Sequence, residues 1–218
     1  MARFVISGTG TDIGKTIFAA GLCRLIGADY WKPVQSGLAG NVPVPADAGQ
    51  SHPLAGSDSA VVASLSGART HPEAHVLTQP LSPHRAAELD GITLDPASMT
   101  PPDVDALVIE GAGGVLVPLT RDALFADLFA RWQIPVIVIA STGLGTISHT
   151  LSALESLRAR GVPVHGAAFV GDDNPDNIAT IGAMGSVRIL GRLPWLADPS
   201  PDALARAMTE HFDPKDFA

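Results

Sequence analysis

The chain has 218 residues, 46% of them apolar and 17% charged, which suits one globular α/β domain able to bury about 70% of its unfolded surface and speaks against a disordered or fibrous one. Its net charge of −8, with 14 Lys and Arg against 22 Asp and Glu, argues against a nucleic-acid surface, which needs clustered cations. A single cysteine, Cys23, excludes an internal disulfide, and its place beside Leu22 in an apolar helical run reads as packing.

The first element is RFVISG, a short apolar run ended by glycines, and KTIFAAGLCRLIGA follows with apolar residues at helical spacing. Strand, loop and helix are thus expected in that order. The alternation returns in the strands DYWKPV, ALVIEGA, IPVIVIA, VHGAAFV and VRILGRL, and in the helical stretches DALFADLFARW, GTISHTLSALESLRARG and PDALARAMTEHF. Continuously apolar strands alternating with helices predict a mainly parallel central sheet with helices on both faces, a three-layer α/β fold in a single domain over residues 1–218. Residues 38–57, rich in Pro, Gly and Ala, are expected to form a long surface loop beside the site. No basic leader precedes the first strand and no apolar stretch approaches ~18 residues, so the expected location is cytoplasmic, with no membrane partner.

In such a sheet, ligands gather at the carboxyl ends of the strands. The segment ISGTGTDIGKT leaves the first strand and enters the first helix, so its backbone N–H groups and the helix's positive end face one anion. Lys15 can reach outer phosphates there, and the Thr16 hydroxyl suits Mg2+. The spacing differs from the usual phosphate-loop fingerprint, because five residues rather than four separate Gly8 from Gly14. In WKPVQSG, Lys32 is either a solvated strand-end charge or an ammonium fixed against a carboxylate or a transferring phosphoryl group. Glu110 in VIEGAGG ends a buried strand, where it is either a Mg2+ ligand or water-orienting acid, or an exposed strand-end acid. Asp58 in GSDSAVV is either a helix N-cap or a further oxygen for Mg2+. SPHRAAE reads as a helix start, with Ser82 as cap and Pro83 at the first position. The seven histidines show no metal-ligand spacing.

Together these segments resemble the dethiobiotin synthetase family. GTGTDIGKT, KPVQSG, SDSAVVASLSG, LSPHRAAE, EGAGGVLVPL, LGTISHT and LGRLPWL stand in family order over most of the chain, and the five-residue gap is how that family writes its loop. The resemblance implies a P-loop NTPase-like fold and a homodimeric, ATP- and Mg2+-dependent cyclo-ligase of biotin biosynthesis. Such an enzyme joins CO2 to 7,8-diaminopelargonic acid as a carbamate, phosphorylates it, and closes the ureido ring with release of ADP and phosphate. It further implies Lys15, Lys32 and Thr11 at the reacting groups, and Ser36 and Thr11 on the substrate. Gly145, Thr146 and Ile147 would receive the substrate's tail carboxylate from the other subunit. The implied nucleotide site comprises Asp12, Ile13, Gly14, Lys15, Thr16, Ile17, Asp58, Glu110, Gly111, Ala112, Gly113, Pro194, Trp195 and Leu196, with Thr16, Asp58 and Glu110 toward the metal.

One position departs from the family pattern. Many members follow the strand equivalent to HGAAFV with an Asn-Asp pair whose Asn reads adenine, and here Val170 and Gly171 stand there. Asn174 and Asn177 either take over or cap the next helix. Two other classes fit less well. Partition-type ATPases carry a lysine early in the loop, and residues 7–13 contain none. Amide-forming proteins of the cobyrinate type usually carry a further glutamine-cleaving domain, for which these 218 residues are not expected to have room.

Overall fold

In the computed structural model, residues 2–38 and 56–218 are described. Strand β1 (Arg3–Gly8) is buried from Phe4 onward, as its unbroken apolar run requires. The elements that follow are α1 (Lys15–Ile26), β2 (Asp29–Trp31), β3 (Val34–Gln35), α2 (Asp58–Ser66), β4 (Thr70–His71), β5 (His75–Val76) and α3 (Pro83–Asp90). Then come β6 (Leu107–Gly114), α4 (Phe125–Trp132), β7 (Val136–Ser141), α5 (Thr146–Arg158), β8 (Val164–Val170), α6 (Pro175–Gly185), β9 (Ile189–Leu193) and α7 (Pro201–His211). Seven strands form one sheet in the order β4-β2-β6-β1-β7-β8-β9, and β3 pairs separately with β5. Among the described residues every strand pairing is parallel, which makes the sheet more uniform than the expected mainly parallel one.

The pleat divides the core between the two faces. Phe4, Ile6, Tyr30 and Val108 join Phe18 and Leu22 of α1, Val62 of α2 and Leu204 of α7 in one cluster. Val5, Trp31, Leu107 and Ile109 point the other way, toward Phe125 and Phe129 of α4 and Leu154 of α5. A sheet covered on both faces has no polar side to display, hence the continuous apolar runs. Cys23 lies inside the first cluster, and burial pushes its thiol well above the ordinary range, so it packs as a small apolar residue.

Some expected boundaries shift. DYWKPV is not one strand: β2 stops at Trp31, and β3 starts after Pro33 on a different partner. Pro33 has no N–H to extend the ladder, and its carbonyl instead accepts from the His75 N–H at 3.0 Å. Glu110 does not end its strand, since β6 continues to Gly114. The loop expected over 38–57 lies mostly outside the described residues.

Candidate active site

Strands β2, β6 and β1 are neighbours in the sheet, so Lys32 just after β2, Glu110 inside β6 and the Gly8–Gly14 connection after β1 come to one place. Gly14, the N-cap of α1, has φ 89°, and a Cβ there would sit 2.6 Å from Val170 Cγ1. Only glycine suits that combination. The helix start has no side-chain cap and no acid in its first turn, which leaves its amides free for an anion. Lys15 is buried, with its Nζ donating to the Gly10 carbonyl at 2.7 Å. Burial lowers its pKa, against the opposing pull of Glu110.

Glu110 is 1% exposed, and three side chains converge on it. Its Oε1 accepts from Thr16 Oγ1 at 2.9 Å and from Lys32 Nζ at 3.0 Å, and its Oε2 accepts from Tyr30 Oη at 2.9 Å. Lys32, 5% exposed, donates also to Asp58 Oδ2, so it is not a solvated strand-end charge. Burial pulls its pKa down, but Glu110 and Asp58 more than offset this and hold it above the ordinary lysine value. Asp58 is not the cap of α2. Ser57 fills that role, its side chain accepting from the Ala60 N–H, while the Asp58 N–H donates to Gln35 Oε1 at 3.0 Å. Ser82 does occupy the N-cap position of α3 but makes no cap bond, its hydroxyl pairing with His84 Nδ1 at 2.9 Å.

These groups open on a cavity of about 810 Å³, lined by Thr11, Asp12, Ile13, Gly14, Lys15, Thr16, Ile17, Lys32, Ser36, Asp58, Glu110, Ala112, Gly113 and Trp195. Gln35, Val117 and residues 80–83 complete the wall. Ser36 Oγ is buried, with no hydrogen-bond partner among the described residues. Six expected site residues are not brought to the cavity within this one chain. Gly111 backs onto Phe129, whose Cζ lies 3.0 Å from where a Cβ would be, Leu196 packs on the core, and Thr146 Oγ1 donates to the Ser141 carbonyl. Ile147 packs against the cluster of Ala140, Ala167, Phe169 and Ile181, and Gly145 is the exposed N-cap of α5. Pro194 is likewise absent from the lining. Asn174 caps α6 through the Asn177 N–H, and both asparagine side chains donate to the Thr142 carbonyl at 3.0 Å.

Sequence reasoning missed Tyr30 and Gln35. Tyr30 has one readable signal, its place two residues before Lys32 and hence on the same strand face. Gln35 stands inside KPVQSG, but its bond to α2 is a long-range contact that no local pattern shows. The donor set suits a hard cation: Thr16, Asp58 and Glu110 present oxygens, and an ammonium already sits between the two carboxylates. Among the described residues no group of three His, Cys, Asp or Glu forms a cage, and Mg2+ characteristically takes one or two carboxylates plus substrate phosphates.

An uncapped helix start behind a glycine loop, a buried lysine and a carboxylate on the next parallel strand define a P-loop nucleotide-binding α/β protein. A family model described as an AAA domain matches residues 2–203. The ATP-dependent dethiobiotin synthetase BioD of Novosphingobium aromaticivorans is 52% identical over 100% of this chain and 100% of its own, and that of Agrobacterium fabrum is 52% identical over 99% of this chain and 96% of its own. The chain belongs to the dethiobiotin synthetase family. A looser likeness links it to a ParA family ATPase from Chlorobium tepidum TLS, with a TM-score of 0.48 and 14% identity over 96% of this chain and 91% of that one.

Proposed function

We propose that the chain is an ATP-dependent ligase that makes dethiobiotin from 7,8-diaminopelargonic acid and CO2. The observation that carries this reading is Lys32, a buried ammonium that shares one cavity with the phosphate loop and with the Ser36 hydroxyl, which has no hydrogen-bond partner among the described residues. One substrate amine adds to CO2 and loses a proton, giving a carbamate. A carbamate oxygen then attacks the γ-phosphorus of ATP, releasing ADP and leaving a carbamic–phosphoric anhydride. The neighbouring amine attacks the carbonyl, the C–O bond to phosphate breaks, and the ureido ring closes.

The protein's part is placement and charge. Two anions must meet in the phosphoryl step, and the buried ammonium groups of Lys15 and Lys32 offset that repulsion. Thr11 and Ser36 line the same cavity and position the substrate through their hydroxyls. Ring closure gains from amines held on adjacent carbons, where effective molarities reach about 10⁵ M or more. Thr16, Asp58 and Glu110 would hold Mg2+, which when bound neutralises phosphate oxygens. Gly145, Thr146 and Ile147 serve the substrate's tail carboxylate from a second subunit, and the enzyme is cytoplasmic. Among the described residues no helix is long and apolar enough to cross a membrane. Incubation with ATP, Mg2+, diaminopelargonate and 13C-bicarbonate tests the reading. Mass spectrometry is expected to find the label in the ring carbonyl of dethiobiotin, and an unlabelled or absent product would overturn it.

A further inference from the structure

We infer that Tyr30 is a positioning residue for Glu110, its phenol fixing the carboxylate in the orientation that presents Oε1 to Thr16 and to a bound divalent cation. Tyr30 pairs with Val108 across β2 and β6, so Glu110, two residues on, stands on the same face of the sheet. Its ring is fully buried among Phe4, Ile6 and Val108, a setting in which phenylalanine would pack as well. A buried hydroxyl is costly unless bonded, and this one bonds to Glu110 Oε2 at 2.9 Å. Among the described residues, the other two donors to this carboxylate both reach Oε1. Tyr30 is thus the brace that keeps the two oxygens distinct. Without it, Oε2 is left unsatisfied and the carboxylate is free to turn about its last torsion.

This inference rests on the reading of Glu110 as a metal-facing carboxylate, so the experiment separates the two. Mg2+ affinity in the presence of ADP, and ADP affinity in EDTA, are measured by calorimetry for wild type, Tyr30→Phe, Glu110→Gln and the double variant. Losing a hydrogen-bond partner of a ligating carboxylate typically weakens metal binding by about 10-fold or more. Tyr30→Phe is expected to show that loss with ADP affinity in EDTA unchanged, and to add nothing in the Glu110→Gln background. Equal loss with and without metal would reduce Tyr30 to packing and overturn the inference, as would unchanged Mg2+ affinity beside a weakened Glu110→Gln. A Glu110→Gln enzyme with wild-type Mg2+ affinity would instead overturn the metal reading itself. Tyr30 is the only tyrosine in the chain, so 3-fluorotyrosine labels this position alone and serves even if Tyr30→Phe does not fold. Its 19F resonance is expected to move when Mg2+ joins the ADP complex, and a fixed resonance would count against the inference.

Discussion

Lys32 sits between Asp58 and Glu110 with almost none of its surface in water. Removing it takes a positive charge from the reacting groups and strands two carboxylates. Lys32→Ala is expected to lower kcat by about 3–4 kcal/mol of barrier, several hundred-fold, with a much smaller change in ATP affinity. Breaking its buried pair with Glu110 should also cost stability, on the order of 3–5 kcal/mol, visible as a lower Tm. Near-normal turnover would remove Lys32 from the chemistry. Lys15 answers differently to pH. Its folded pKa is lowered, chiefly by burial, below the ordinary 10.5. Between those two values the unfolded chain holds more protons than the folded one, so stability gains from this group as pH rises through that window. Its charge is lost there too, so kcat/KM for ATP should fall along an alkaline limb centred below 10.5. Lys32, raised by its carboxylates, keeps its stabilising charge through that window and loses it only above. Lys15→Arg should move the limb upward, and an unmoved limb would assign it elsewhere. Lys15, Thr16 and Lys32 were legible in the sequence from their places just after apolar strands, Asp58 from the start of an apolar helical run, and Glu110 from the apolar run that leads into it. Tyr30 and Gln35 were not, because their roles depend on the β2–β6 register and on where α2 starts.

The turn from β1 into α1 is the element on which nucleotide capture depends. Ala at Gly14 would have to hold φ near 89° and meet Val170 at 2.6 Å. The left-handed conformation alone costs about 1–2 kcal/mol, or roughly 2–8 °C in Tm for a chain of this size, and the ATP KM should rise with it. Gly10→Ala provides the contrast, since its Cβ would meet nothing nearer than 3.8 Å, and its Tm should stay at the wild-type value. Equal losses at the two positions would refute this account of the loop. Elements with long apolar runs were legible: VHGAAFV is β8 to the residue. The two-residue strands β4 and β5 were not, being too short to show a period of two. The break at Pro33 was readable in principle from its missing donor, but the apolar residues on both sides masked it.

At the scale of the whole molecule, base recognition is where this chain should differ from many of its relatives. Val170 packs against Gly14, while Asn174 and Asn177 are spent on the start of α6 and the Thr142 carbonyl. The exposed Trp195 remains on the cavity wall. A missing base-reading hydrogen bond is worth roughly 1–3 kcal/mol, so ATP should be favoured over CTP or GTP by less than about 100-fold in kcat/KM. A preference of several thousand-fold would reveal a base-reading group elsewhere. The start of α5 stands away from the cavity in a single subunit, and sedimentation should find a dimer; a fully active monomer would contradict a shared site. The central claim, that one cavity couples phosphate transfer to ring closure, is tested most directly by ADP release. With ATP and Mg2+ present, ADP should appear at the full rate only when diaminopelargonate and bicarbonate are both supplied. ADP release that is equally fast without either would contradict the account.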